Sequence, residues 1–179
     1  RNIKIDNKFR KAPLGKFFNQ VEFQYSNVKF ADKYKNHIKN SRVVYVSGDT
    51  QNISKILKLK KKYIHTVFHF GEFSRIYQSF LKLEKCIDYN SVGTHAVFNF
   101  CVANKIKLIY SATSANLGNK GEDKNLSPYA FTKAKNLELL ENLKKWFKFK
   151  FEIIYFYNVY GPNQISKGEM ATVIGIFEN

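Results

Sequence analysis

The chain has 179 residues, of which 44% are hydrophobic and 16% aromatic, and this composition excludes an intrinsically disordered chain because it can fill one sizeable core. The formal net charge is +16, but the basic residues are nearly all scattered lysines, whereas phosphate and base recognition favours clustered arginines. We therefore predict that nucleic acid is not a partner.

The cysteine and hydropathy patterns narrow the class of protein further. Cys86 and Cys101 lie far apart and show no metal-ligand spacing, which predicts no metal site and reduced thiols. No stretch approaches the ~20 apolar residues of a membrane span, and no charged and then apolar signal segment opens the chain. These features predict a cytoplasmic protein without a membrane partner.

Two strands are predicted in the first third of the chain. Residues 2–7 alternate like a strand and end in an acid, whereas residues 11–39 show no convincing period and are predicted to be loop with short ordered pieces. Residues 42–46 form a β-branched apolar run bounded by Ser47-Gly48-Asp49, which predicts a buried strand. A short helix over residues 52–59 follows.

The remainder of the chain alternates between strand and helix patterns. Further strands are predicted at residues 66–71, 107–113 and 152–157, with helical spacing at residues 77–104 and 128–147. A loop rich in glycine and asparagine, residues 114–126, precedes the last helix. This alternation predicts an α/β fold with a doubly wound parallel sheet.

A tyrosine and a lysine open the helix over residues 128–147. Tyr129 and Lys133 are four residues apart and project from one face, so the ammonium lies near the phenol. A nearby cation favours the phenolate, and Tyr129 could then exchange a proton with an alcohol near neutral pH. The same spacing arises by chance in lysine-rich helices, but the preceding strand ends in Ser111-Ala112-Thr113, and Thr113 could hydrogen-bond the same substrate oxygen.

Five motifs in this order resemble the extended short-chain dehydrogenase/reductase family, in particular its NAD-dependent nucleotide-sugar epimerases and dehydratases. They are His69-Phe70-Gly71, Asn90-Ser91-Val92-Gly93-Thr94, the strand ending in Thr113, Ser127-Pro128-Tyr129 with Lys133, and Tyr157-Asn158-Val159-Tyr160-Gly161-Pro162. The resemblance implies a Rossmann-like domain that binds NAD, a nucleotide-sugar substrate, and a homodimer for the full-length protein. Asn90 is the family's helix asparagine, although an asparagine within a helix usually turns outward to the surface.

The resemblance also implies a role for individual residues. Thr113, Tyr129 and Lys133 would be catalytic; NAD would contact Asp6, Asn7, Asp49, Thr50, Phe70, Gly71, Tyr129, Lys133 and Phe156; and the substrate would contact Thr113 and Asn158. Asp6 would accept hydrogen bonds from the adenosine ribose hydroxyls, and its alternative is a strand-ending residue in a turn. Asp49 would lie beside the adenine, and its alternative is a helix cap.

The sequence departs from the family pattern in two places. The glycine-rich turn that receives the pyrophosphate, Gly-x-x-Gly-x-x-Gly, has no counterpart. We therefore expect residues 1–162 to form a partial NAD-binding domain that lacks its first βα unit, and residues 163–179 to begin a truncated substrate-binding region. Glu72 replaces a small residue, and its carboxylate either turns away from the pyrophosphate or contacts the substrate.

Epimerase chemistry is preferred to dehydration for a chemical reason. Elimination of water beside a keto-sugar requires an extra acid and base, which the resembling dehydratases carry directly after the catalytic Ser or Thr. Ser114, Ala115 and Asn116 stand there in this chain, and none of them is a carboxylate. A dehydratase or reductase of the same family, and a truncated chain without activity of its own, remain the alternatives.

Overall fold

A computed structural model describes residues 2–5, 22–24, 45–157, 159, 161, 166–168, 171 and 173–177. Its strands are β1 (Asn2–Ile5), β2 (Glu22–Gln24), β3 (Tyr45–Asp49), β4 (Thr66–His69), β5 (Lys107–Thr113) and β6 (Phe151–Phe156). Its α-helices are α1 (Ile53–Ile56), α2 (Ile76–Leu81), α3 (Leu83–Ile87), α4 (Thr94–Ala103), α5 (Pro128–Phe147) and α6 (Val173–Phe177). A π-helical turn, Asp88–Gly93, joins α3 to α4.

The parallel sheet has the strand order β4-β5-β6. Thr66 pairs with Lys107 at the start of β4, and Thr113 pairs with Phe156 at the end of β5. Since the connections between these strands contain helices, the sheet is built from βαβ crossovers, and the predicted Rossmann-like α/β class is confirmed. The carboxyl ends of all three strands meet at one edge, which is where ligands bind in open α/β sheets.

The first three strands form a separate sheet of order β2-β1-β3 in which both pairings are antiparallel. For the described residues 2–5 and 45–46, the expectation that they belong to the parallel sheet is therefore wrong. The alternation of Ile3 and Ile5 with polar residues fits an antiparallel strand, whereas a buried parallel strand shows a continuous apolar run. The described part of the third strand runs from Tyr45 to Asp49, and residues 42–44 of the predicted strand lie outside the described residues.

The core lies between one face of the parallel sheet and helices α4 and α5. Leu108 and Tyr110 of β5 are fully buried against Val97 and Phe98 of α4 and Leu140 of α5. Each apolar side chain removed from water in this way contributes roughly 1.5–3 kcal/mol. Because successive side chains of a strand point to opposite faces, these residues fix which face of β5 carries the helices.

Helix α5 has the bounds predicted for it, residues 128–147. The Ser127 hydroxyl accepts a hydrogen bond from the Ala130 amide at 3.1 Å, and Pro128 occupies the first turn, where its missing N–H costs nothing. The helix ends at Phe147, and the residue that caps it, Lys148, has a left-handed φ of 53°. These signals place Tyr129 and Lys133 in the first two turns.

Two further predictions concern membrane-spanning helices and the domain boundary. None of the helices in the described part of the chain is both long and apolar enough to cross a membrane. The domain boundary at residue 162 stays a prediction, because only short pieces beyond it, including α6, are described.

We expect Gly93→Ala to destabilise the fold. A Cβ at Gly93 would overlap the Thr50 hydroxyl oxygen and approach the Asp88 carbonyl oxygen at 3.3 Å, so the free energy of unfolding should fall by about 1–3 kcal/mol in urea unfolding. Glycine to alanine in an open helix stabilises instead. In a Thr50→Ala background the loss should shrink, and an equal loss in both backgrounds would contradict the overlap.

Candidate active site

The predicted catalytic residues lie at the carboxyl edge of the parallel sheet. Thr113 is the last residue of β5, and the Lys133 ammonium of α5 donates to the Ser111 carbonyl oxygen, two residues before Thr113. The Tyr129 amide donates to the Ser79 hydroxyl at 3.3 Å, which anchors the start of α5 to α2. Strand β5 and helix α5 therefore bring the lysine to the strand end that carries the threonine.

Thr113 and Tyr129 differ in their surroundings. The Thr113 side chain is buried, and its oxygen accepts a long hydrogen bond, 3.3 Å, from the Ala115 amide, which caps the following 3₁₀ turn. Tyr129 is half-buried. An oxygen at a strand end and a partly exposed phenol are the arrangement that a substrate hydroxyl could approach.

Glu72 turns inward, so the structure decides between the two alternatives left by the sequence. Its side chain forms an ion pair with Lys133 and is only 3% exposed. The other carboxylate oxygen, Oε1, accepts hydrogen bonds from the Thr94 hydroxyl at 2.7 Å, the Tyr110 hydroxyl at 2.9 Å and the Asn136 amide at 3.1 Å. The carboxylate is thus enclosed by protein donors and does not face the carboxyl edge.

Sequence reasoning did not single out Asn136 or Tyr110 as members of this cluster. Asn136 stands three residues after Lys133 and seven after Tyr129, so the helical period puts all three on one face of α5. That spacing is the signal that could have identified Asn136. Tyr110 could not be identified, because a tyrosine within an apolar strand fits an ordinary core position equally well.

Asn90 is fully buried, and surface placement of this residue is excluded. Its side-chain oxygen accepts from the Phe73 amide at 2.6 Å, and its side-chain nitrogen donates to the Phe73 carbonyl at 3.2 Å and to Thr132 at 3.1 Å. The backbone carbonyl oxygen of Asn90 accepts a hydrogen bond from the Asn136 side-chain nitrogen at 2.6 Å. Asn90 therefore ties the loop after β4 and the π-helical turn to α5.

Burial keeps two aromatic groups beside Glu72 neutral. Desolvation lowers the pKa of His69 to about 4, against the opposing effect of the Glu72 charge, and Lys133 lowers it further. Desolvation also raises the pKa of Tyr110 well above its usual value, and the Glu72 charge acts in the same direction. Since Thr94 donates to Glu72, its oxygen accepts from His69 Nε2 at 2.9 Å, which assigns the proton of the neutral ring to Nε2.

The predicted cofactor residues are only partly brought together. Phe70 and Phe156 lie edge to face with ring centroids 5.4 Å apart, are 40% and 38% exposed, and Phe156 pairs with Thr113 across the sheet. Gly71 is buried directly after Phe70. Two exposed apolar rings therefore stand beside the end of β5.

The other predicted cofactor and substrate residues show few contacts or lie outside the described residues. Asp49 Oδ1 accepts from the Gln51 amide at 2.8 Å, so the capping alternative is realised, and the adenine contact stays a prediction. Thr50 is buried next to Gly93. Asp6, Asn7 and Asn158 lie outside the described residues.

A large lysine-rich cavity lies away from these residues. It has a volume of about 960 Å³ and lies at the amino ends of the parallel strands, with Lys105, Lys107, Lys144, Lys148 and Lys150 among its lining residues. Ligands of open α/β sheets bind at the carboxyl edge, so this cavity takes no part in the candidate site. Within the described ranges, no group of three or more His, Cys, Asp or Glu side chains could hold a metal ion.

Comparison with known proteins defines the class of this chain. The model of the NAD dependent epimerase/dehydratase family matches residues 20–177. The chain belongs to this family. This agrees with the motifs that surround Thr113, Tyr129 and Lys133 in the sequence.

Individual relatives support the same assignment. ADP-L-glycero-D-manno-heptose-6-epimerase of Fusobacterium nucleatum is 28% identical over 155 residues, which cover 80% of this chain and 46% of that protein. The chain thus spans about half the length of this curated relative.

Two solved structures show the shared fold. The dTDP-glucose 4,6-dehydratase DesIV of Streptomyces venezuelae, solved with NAD, has a TM-score of 0.73 at 17% identity and covers 94% of this chain and 53% of its own. UDP-glucose 4-epimerase of Thermotoga maritima, solved with UDP-glucose, has a TM-score of 0.65 at 22% identity and covers 73% and 46%. At these identities the likeness establishes the Rossmann-like fold alone.

We expect His69 to make stability depend on pH. Because its pKa is about 4 in the folded chain and about 6.5 when unfolded, the unfolded state binds more protons between these values. The free energy of unfolding should be fully retained above pH 6.5 and fall as the pH drops towards 4, by at most about 3 kcal/mol.

His69→Gln tests this dependence, since the amide can still donate to Thr94 without titrating. Denaturant unfolding at pH 7, 6, 5 and 4 should give a shallower fall for His69→Gln than for the wild type. His95→Gln, which removes an exposed histidine ring, is the matched control. Parallel curves for wild type and His69→Gln would contradict the burial of a neutral His69.

Proposed function

We propose that the protein is an NAD-dependent epimerase of a nucleotide sugar. The observation that carries this proposal is the meeting of β5 and α5, where Lys133 donates to Ser111 two residues before Thr113. This contact supports an arrangement in which Tyr129, Lys133 and Thr113 would act together at the edge of the sheet where ligands bind. Membership of the epimerase/dehydratase family supports the same reaction class.

The residues of this edge fit a flat, largely apolar cofactor ring. Phe70 and Phe156 expose apolar rings beside Thr113, and Gly71 offers no side chain at the end of β4. Phe70, Gly71, Phe156 and Tyr129 would hold the nicotinamide half of NAD, with Asp49, Thr50, Asp6 and Asn7 for the adenosine half. The Lys133 ammonium is buried and donates to Glu72 and Ser111, so its contact with NAD stays a prediction. NAD would supply a reversible hydride acceptor for the sugar carbon.

The side chains of the chain divide the acid and base work. Tyr129 as the phenolate takes the proton of the sugar hydroxyl and returns it after the carbon has been inverted. Thr113 orients the same oxygen, and Lys133 favours the phenolate by its positive charge. Asn158, which lies outside the described residues, would contact the diphosphate of the nucleotide sugar.

Epimerisation is favoured over dehydration by the turn that follows Thr113. This 3₁₀ turn, Ser114–Asn116, contains no carboxylate, so no acid or base for elimination stands next to the threonine. The similarity to a heptose epimerase agrees with this preference. A dehydratase or reductase remains the second candidate because the fold is also that of a dehydratase.

Exposed and buried side chains support proposals for the quaternary state and the location. Tyr77, Phe80 and Leu81 of α2 are apolar and exposed, and a second copy of the full-length chain would cover them, so we propose a homodimer. Cys86 and Cys101 are both buried and neither forms a disulfide. Cysteines outside disulfides fit a reducing compartment, and we propose the cytoplasm.

In the full-length protein, Tyr129→Phe should lower kcat by ~10²-fold or more, because it removes only the ionisable oxygen of the base. NAD affinity measured by calorimetry should change little. Tyr63→Phe, at an exposed tyrosine away from the site, is the matched control and should keep the wild-type rate. Retention of most of the rate by Tyr129→Phe would contradict the mechanism.

The alternative of a chain without its own activity requires a different measurement. The 179 residues contain no Gly-x-x-Gly-x-x-Gly turn, and such a turn is the usual cradle of the pyrophosphate. Calorimetric titration of NAD into the 179-residue chain separates the possibilities. Micromolar binding supports a complete cofactor site, whereas absence of binding together with binding to the full-length protein supports the inactive piece.

A further inference from the structure

Glu72 places a negatively charged carboxylate in a buried part of the fold. It follows Gly71 on the loop that leaves β4, and its side chain is 3% exposed. A buried carboxylate persists only if hydrogen bonds and a counter-charge replace its hydration. The arrangement around it therefore indicates which group it serves.

Three separate elements hold the Glu72 carboxylate in place. Oε1 accepts from Thr94 of α4, Tyr110 of β5 and Asn136 of α5, at distances of 2.7, 2.9 and 3.1 Å. Oε2 is left to face Lys133. The carboxylate is thus oriented by neutral donors so that one oxygen points at the ammonium.

Lys133 depends on this carboxylate for its charge. Its side chain is 5% exposed, and its ammonium donates to Glu72 and to the Ser111 carbonyl while lying 4.5 Å from the centre of the Tyr110 ring. A carbonyl dipole and a ring face stabilise a cation weakly by comparison with a carboxylate. An ammonium buried without a counter-charge reverts towards the neutral amine.

We propose that Glu72 is a positioning residue that keeps the Lys133 ammonium charged and fixed against β5, at the helix turn below Tyr129. The proposal rests on the proposed function in one respect, namely that Tyr129 is the base that this charge serves. Among the described residues, His69 of β4 and Tyr110 of β5 are the titratable groups with a stated interaction with the pair, and the charge of Tyr129 of α5 acts on Tyr110. Burial keeps His69 and Tyr110 neutral near pH 7.

The charge of Lys133 can be measured without any assay of activity. Full-length protein is labelled with carbon-13 at the lysine ε-carbon, and the Lys133 resonance is identified by its absence in Lys133→Met. In Glu72→Gln the titration midpoint of Lys133 should fall by about three pH units or more, because burial without a counter-charge lowers a lysine pKa by up to roughly 3–5 units. Glu72→Asp keeps the negative charge but withdraws it by one methylene. The Lys133 midpoint in this variant should therefore lie between those of wild type and Glu72→Gln.

Glu138→Gln is the matched control. Glu138 also forms an ion pair with a lysine of α5, Lys135, but both side chains are exposed. The Lys133 midpoint should therefore be the same in Glu138→Gln and wild type. A wild-type midpoint in both Glu72→Gln and Glu72→Asp would overturn the proposal.

The effect of Glu72 on Tyr129, the proposed base, is measured from the pH dependence of kcat. In Glu72→Gln the acidic limb should move to higher pH by at least about one unit, because Tyr129 loses its neighbouring cation, and KM should change less than kcat. Tyr110→Phe removes one donor to Glu72 but keeps the ion pair, so it should lower stability without moving the limb.

The outcomes also separate this inference from the proposed function. An acidic limb that moves to lower pH in Glu72→Gln would overturn the inference, since Lys133 would then have stayed charged without its partner. If the Lys133 midpoint falls while Tyr129→Phe keeps the wild-type rate, the link between Glu72 and Lys133 is supported. In that case the base role of Tyr129 is contradicted.

Discussion

The ion pair between Glu72 and Lys133 is the interaction on which the candidate site depends. Each partner is almost fully buried, and removing an ion of this size from water costs several kcal/mol. That cost is offset only while the pair and its hydrogen bonds are complete. The pair therefore fixes the relative positions of three segments, namely the loop after β4, the end of β5 and the second turn of α5.

The polar groups around the pair extend this constraint to α4 and to the π-helical turn. Thr94 connects His69 to Glu72, and Asn136 connects Glu72 to the Asn90 carbonyl. His69 and Tyr110 are neutral near pH 7 because they are desolvated, so they complete hydrogen bonds without adding charge. The cluster thus carries one positive and one negative charge behind the carboxyl edge of the sheet.

The sequence predicted the parts of the fold that local patterns determine. Helix α5 and strand β5 have the predicted bounds because an N-cap serine, a first-turn proline and an apolar run are local signals. The relation of Tyr129 to Lys133 followed from helical spacing. Strands β1 and β3 were assigned to the wrong sheet, since the choice between parallel and antiparallel pairing depends on distant residues.

The direction of buried polar side chains could not be predicted in the same way. Glu72 was left with two alternatives, because the residues that bind it, Thr94, Tyr110 and Asn136, come from three later elements of the chain. Asn90 was open for the same reason, as its partners Phe73 and Thr132 are distant in sequence. A buried polar network is specified by tertiary contacts, and single-residue preferences carry little information about it.

The most direct test is a double-mutant cycle on the buried pair, measured as the free energy of unfolding at pH 7. Glu72→Gln and Lys133→Met should each cost about 3–5 kcal/mol, because each leaves the remaining ionisable partner buried without its counter-charge. The double variant removes both charges and should cost much less than the sum, with a coupling energy of about 2 kcal/mol or more. Additive losses, within about 0.5 kcal/mol, would show that Glu72 and Lys133 act independently and would contradict the account.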